Sequence, residues 1–209
     1  TYQKDHVNLI DVNEAPIEEI TPRGIRTSES EYEHDTIIFA TGFDAITGGF
    51  TKLHITGRNG TTLTEKWDDG PRSYLGFSVD EFPNLHMISG PQSPAAITNQ
   101  PVSIERQVQF ISGIIEHMRD RGYEYIEAKE EDVDEWVQHT NEVAEGTLYT
   151  EASSWYKGDN IPGKPETMLM YAGGFDNHSK KCDEVAANGY EGYRFSTSVE
   201  ALGDLEAEL

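Results

Sequence analysis

The chain has 209 residues, room for one ordinary domain or two small ones with a sizeable core, and its 16 basic and 38 acidic residues give a formal charge of −22. That charge disfavours nucleic acid and anionic membrane surfaces as partners, and no stretch approaches the ~20 apolar residues of a membrane span. The single cysteine, Cys182, excludes an internal disulfide framework and fits a reducing cytoplasm. No signal-peptide pattern opens the sequence, so a cytoplasmic location is expected. The acidic residues are spread along the chain rather than gathered in a tail. In a saline cytoplasm, where the Debye length falls to ~3 Å at 1 M salt, their mutual repulsion is screened. The composition therefore predicts a salt-adapted protein; an acidic protein of an ordinary, low-salt cytoplasm fits the same numbers.

Residues 7–12 suit a strand. Ile17 to Ile20 and Gly24 to Thr27 flank the turn signal Thr21-Pro22-Arg23-Gly24 and predict a β-hairpin. After a polar stretch comes Asp35-Thr-Ile-Ile-Phe-Ala-Thr-Gly-Phe-Asp44. This apolar run is rich in β-branched and aromatic residues and closes on Gly, which predicts a buried strand. Strands buried on both faces belong to parallel sheets, whose ligands sit at the carboxyl ends of the strands. There the small residues Ala40, Thr41 and Gly42 would let a cofactor approach the backbone. A core strand ending in a tight turn fits these residues equally well.

Further on, 53–56 and 61–64 could pair across Gly57-Arg58-Asn59-Gly60. Residues 66–71 read as a turn and 74–77 as a short strand. Residues 85–89 read as a second buried strand, ending in small residues up to Ala96. A helix is predicted from Pro101 to Arg121, with Gly122 as its cap and Ile104, Val108, Ile111, Ile115 and Met118 on one face. Its amino end would suit a polar or anionic group. A second helix, 130–145, places Val133, Trp136, Val137 and Thr140 inward and crowds acidic residues into its first turns. Calcium-loop spacing is absent there. Residues 153–165 form a polar loop carrying Trp155 and Tyr156. A strand at 168–172, a short helix at 180–188 holding Cys182 as a buried structural thiol, and a frayed acidic tail complete the reading.

No Gly-rich dinucleotide loop, Walker loop, His-Glu-x-x-His, Cys/His cluster or Gly-x-Ser-x-Gly elbow occurs. No metal site is expected. The loops look like neighbours of a cofactor, yet no complete cofactor site is encoded.

An ordered set of blocks carries a resemblance. It runs from Ala15-Pro-Ile-Glu18 and Ile20-Thr-Pro-Arg-Gly-Ile-Arg-Thr27 to Phe39-Ala-Thr-Gly-Phe-Asp-Ala45. Lys66-Trp67, Gly70-Pro-Arg-Ser-Tyr-Leu-Gly76, Phe82-Pro-Asn-Leu85, Gly90-Pro91 and Ser93-Pro94 follow. Asn99, Val102-Ser-Ile-Glu105, Ser154-Trp-Tyr156, Asn160-Ile-Pro-Gly-Lys-Pro165 and Cys182-Asp-Glu-Val-Ala186 close the set. Together they resemble the C-terminal part of type I Baeyer–Villiger monooxygenases of the phenylacetone and cyclohexanone monooxygenase type. The implied fold is α/β, the C-terminal portion of a flavoprotein with two Rossmann-like dinucleotide-binding domains. Residues 1–40 would end the NADP domain, 41–196 would belong to the FAD domain, and 197–209 would be an acidic tail.

The resemblance implies an enzyme that uses FAD, NADPH and O₂ to convert a small-molecule ketone to an ester or lactone. Ala40, Thr41 and Gly42 would link the two domains close to both cofactors, with Ala45 nearby. Asn99 and Gln100 would approach the flavin. Ala95, Ala96 and Ile97 would line the ketone pocket. Trp155 would close over the nicotinamide cofactor, its indole N–H donating to a ribose hydroxyl. Gln100 and Pro101 depart from the family pattern. The Gly-rich loops and the family's catalytic arginine are expected upstream of Thr1, so no catalytic residue is assigned here and the isolated chain is expected to be inactive without the missing N-terminal portion. Two other readings fit part of the pattern: an N- or S-oxygenating flavin monooxygenase, and a non-catalytic acidic α/β fragment.

Overall fold

The computed structural model describes residues 2–94, 98–151, 154–159 and 161–204. The chain divides into two compact units, residues 1–42 and 43–209.

The first unit is organised by a three-stranded antiparallel sheet in the order β1 (Ile17–Thr21), β2 (Gly24–Thr27), β3 (Glu31–Glu33). The predicted hairpin is β1–β2. Thr21 Oγ1 closes its turn by accepting from the amides of Arg23 and Gly24 at 3.2 and 3.1 Å. Gly24 faces the Tyr32 carbonyl so closely that no side chain would fit. The strand expected at 7–12 does not form, nor does the one at 35–44. Ile38, Phe39 and Phe43 are 84, 70 and 85% exposed. A strand exists only as part of a ladder, and none of the described residues pairs with this segment.

The second unit is built on two apolar clusters. The larger joins Tyr74, Leu75 and Phe77 to three helices and a sheet. It takes Phe110 and Ile114 from α2 (Gln100–Arg121), Val133 and Trp136 from α3 (Glu130–Glu145), and Cys182 and Val185 from α4 (Phe175–Ala187). Ile126 comes from β4 (Tyr125–Ala128) and Tyr193 from β5 (Tyr193–Ser196), which pair antiparallel. The smaller cluster is Leu63, Trp67, Val79, Phe82 and Met87. Both described sheets are antiparallel, so the parallel pairing predicted for the buried strands is not among the described residues.

Several local expectations change. The hairpin at 53–64 shrinks to one bridge, Thr56–Thr62. Thr62 and Glu65 form a capping box that starts a helix instead, α1 (Leu63–Lys66). Segments 74–77, 85–89 and 168–172 are not strands. Side chains hold them in the core: Gln92 Nε2 donates to the Pro71 carbonyl and Ser73 Oγ to the Pro91 carbonyl, both at 2.6 Å. Backbone bonds of 2.9 and 3.0 Å join Gln92 to Leu169 and Tyr171 to Ser93.

Helix α2 forms as predicted, and Gly122 caps it in the left-handed conformation at φ 71°. Its buried face differs in part: Ile111 and Met118 pack against the core as expected. Ser103, Gln107, Phe110 and Ile114 face the core, whereas Ile104, Val108 and Ile115 are 38, 48 and 55% exposed. Burying Gln107 is tolerable because Oε1 accepts from the Ser89 amide at 2.6 Å and Nε2 donates to Ser103 Oγ at 2.9 Å. Strands β4 and β5 were not predicted. The expected frayed tail begins instead as helix Val199–Asp204, with Leu202 fully buried.

Candidate functional site: the segments expected to face cofactors

Ala40, Thr41 and Gly42 lie in exposed irregular chain at the end of the first unit, with Gly42 at φ 85°. Ala45, in the second unit, is half-buried. Asn99 is the N-cap of α2. Its side chain is exposed and makes no capping hydrogen bond. Gln100 is the first helical residue, and Pro101 follows in the first turn. No acidic residue enters that first turn, whereas α3 begins Glu130-Glu131-Asp132. In so acidic a chain this leaves the positive end of α2 uncompensated. Ala95, Ala96 and Ile97 lie outside the described residues.

Trp155 is half-buried and stacks on Tyr156 with ring centroids 4.3 Å apart. Tyr149 packs edge-on against Tyr156 at 5.0 Å. The chain after Trp155 turns back on itself. Leu169 N–H donates to the Tyr156 carbonyl at 2.8 Å and Thr167 N–H to the Lys157 carbonyl at 3.0 Å. An ion pair between Lys157 and Glu166 closes the same ring. At the tip of this loop Lys164 Nζ donates to Asp44 Oδ1 at 2.6 Å and lies 3.5 Å from the Ala45 carbonyl. The structure thus brings Ala45 and the Trp155 loop to one place, through Lys164. Asn99 and Gln100 stand on a separate element. The reading from sequence missed Lys164 and Asp44. Both lay inside matched blocks, but nothing in sequence announces a pair 120 residues apart.

A cavity of about 280 Å³ opens beside this pair, lined by Thr47, Thr51, Trp67, Ile161 and Gly163 as well as Asp44 and Lys164. A larger one, about 750 Å³, lies between α3 and α4 against Trp136, His139, Tyr171 and Lys180. None of the described residues among the expected site residues lines the larger cavity.

The buried polar groups elsewhere are structural. Burial pushes the His178 pKa down to about 4 and the Cys182 thiol up to about 12. His178 Nε2 bonds the Leu75 carbonyl at 2.9 Å. Cys182 is buried, as expected, and carries no thiolate character that would make it a nucleophile. Among the described residues no group of three or more His, Cys, Asp or Glu could hold a metal ion, and no helix is long and apolar enough to cross a membrane.

No protein-family profile matches the chain. A Baeyer–Villiger monooxygenase of Pseudooceanicola batsensis is 43% identical over 190 residues, which is 90% of this chain and 34% of that protein. The closed crystal structure of cyclohexanone monooxygenase superposes with a TM-score of 0.87 at 40% identity, over 94% of this chain and 37% of the other. The chain is a homologue of part of the Baeyer–Villiger monooxygenases. It spans about a third of the length of these relatives. Its α/β fold is that of the corresponding portion of the family's structures. A crystal structure described as OTEMO in complex with FAD and NADP matches with a TM-score of 0.83 at 34% identity, over 93% of this chain and 36% of that one. A phenazine N-monooxygenase of Lysobacter antibioticus is also related, at 38% identity over 92% of this chain and 36% of that protein.

Proposed function

We propose that this chain is the carboxyl-side part of an FAD- and NADPH-dependent Baeyer–Villiger monooxygenase that converts a ketone to an ester or lactone with O₂. The observation that carries this reading is the likeness to cyclohexanone monooxygenase over 94% of the chain at a TM-score of 0.87. Residues 1–40 would complete the NADP domain and 41–196 the FAD domain. Bound flavin and nicotinamide would supply the redox chemistry. The protein's own residues would orient them.

The residues present fit that task. Gly42, at φ 85°, holds a conformation that brings no side chain to the backbone, so Ala40, Thr41 and Gly42 can lie close to a cofactor. The amino end of α2, with the Asn99 side chain that makes no capping bond and Gln100 beside it, would face polar groups of the flavin. Trp155, stacked on Tyr156, offers a flat apolar surface and an indole N–H for the nicotinamide ribose. Ala95, Ala96 and Ile97 would line the ketone pocket. A cytoplasmic location is the reading that the single cysteine supports, and the acidic composition disfavours nucleic acid and anionic membranes as partners.

The other partner is the rest of the enzyme. Ile38, Phe39 and Phe43, and the stripe Ile104, Val108 and Ile115 on α2, are exposed here. Each would be worth ~1.5–3 kcal/mol if fully buried. They are the surfaces a further two thirds of polypeptide would cover. The DNA upstream of the codon for Thr1 tests this. An uninterrupted frame encoding two Gly-rich dinucleotide loops is expected; a stop codon directly upstream would contradict it.

A further inference from the structure

We propose that Asp44 and Lys164 form a positioning latch that fixes the loop carrying Trp155. The proposal rests on the reading above only for what the loop is held toward. The geometry of the latch stands on its own.

Both ends of the pair are seated on glycine. A Cβ at Gly48 would collide with the backbone of Asp44 and lie 2.7 Å from its side-chain Cβ and Cγ, so only glycine lets the Asp44 carboxylate lie where it does. At the other end Gly158, at φ 76°, passes under the Lys164 stem. A Cβ there would meet Lys164 Cε and Cδ at 3.2 and 3.3 Å. The ammonium is therefore delivered along a groove the backbone leaves open. Only 12% of the Lys164 side chain and 35% of the Asp44 side chain are exposed, so water and salt screen the pair incompletely.

The connection also has a direction. The base of the loop is closed by the two backbone bonds of Tyr156 and Lys157 and by the Lys157–Glu166 pair. Its tip lines the 280 Å³ cavity together with Asp44, and Lys164 reaches the Asp44 carboxylate and the Ala45 carbonyl. Asp44 is two residues beyond Gly42 in the chain. The pair thus couples the position of the Trp155 loop to the segment Asp44-Ala45. Among the described residues, a base closed on itself and a tip held by the Asp44–Lys164 pair make a loop whose ordering depends on that pair.

Hydrogen exchange of the purified chain tests the latch. Lys164→Met and Asp44→Asn should each speed exchange of the amides between Trp155 and Thr167 about tenfold, the equivalent of ~1.4 kcal/mol, with the helices unchanged. Lys164→Arg, and the exchange of charges in Asp44→Lys with Lys164→Asp, should restore protection. Unchanged exchange in both single variants would overturn the proposal, and so would failure of both rescues. In the complete enzyme the single variants should raise KM for NADPH more than they lower kcat. A loosened loop in the chain with no effect on NADPH kinetics would leave the latch intact and overturn the reading of Trp155 as a nicotinamide contact.

Discussion

Glu127 has a fully buried carboxylate on β4. Arg58 grips it from a loop 69 residues away, Nε at 2.9 Å and a terminal nitrogen at 3.3 Å, and Arg194 on β5 lies 4.0 Å off. A buried charge that loses a partner is expensive, about 3–5 kcal/mol. Arg58→Met should therefore lower stability by about that much, read as a shift in the urea midpoint, although Arg58 makes none of the cofactor contacts proposed here. His178 gives a pH-dependent counterpart. Burial holds its pKa near 4, below the ordinary 6.5. Between those values the unfolded chain binds a proton and the folded chain does not. The contribution is complete above about pH 6.5 and is lost as pH falls toward 4, amounting to about 3 kcal/mol. His178→Gln should remove that part of the slope in urea unfolding between those pH values. A slope equal to the wild type would contradict the assignment. Neither role is visible in sequence. Glu127 reads as one acidic residue among 38, and His178 as one of seven scattered histidines.

At the scale of elements, what could be read was whatever rests on local pattern. The hairpin Ile17–Thr27 announces itself by its turn, α2 by its period and Gly122, and α3 by its acidic first turns. Elements decided by a distant partner were misread. Residues 35–44 have the composition of a buried strand and no ladder to join. Strands β4 and β5 pair across a separation of about 65 residues, and neither run alternates enough to be seen alone. Helix α2 was right in extent and only partly right in face: Ile111 and Met118 pack against the core, whereas Ile104, Val108 and Ile115 are exposed. This carries a test. Ile114→Ala should cost this chain about 2–5 kcal/mol through the cavity it leaves. Ile115→Ser, one residue on, should change its stability by no more than about 0.5 kcal/mol. Equal costs in thermal melts would refute the assignment of faces.

For the molecule as a whole, the site was legible mainly through its resemblance to a family. The blocks around Ala40-Thr41-Gly42, Asn99 and Trp155 were recognised as an ordered set, and the comparison with cyclohexanone monooxygenase agrees with that recognition over 94% of the chain. The Asp44–Lys164 pair required coordinates. The formal charge of −22 makes its own prediction. If the composition is an adaptation to salt, the melting temperature should rise between low salt and 1 M salt, where the Debye length shrinks to ~3 Å; a flat or falling response would refute it. The central claim concerns the complete enzyme and is tested by its product. The protein from the full reading frame should purify with FAD and, given NADPH, isotopically labelled O₂ and a cyclic ketone, should yield a lactone carrying one labelled oxygen atom. A flavin-free protein, or NADPH oxidation that leaves a panel of ketones intact while oxidising amines or sulfides, would contradict the account.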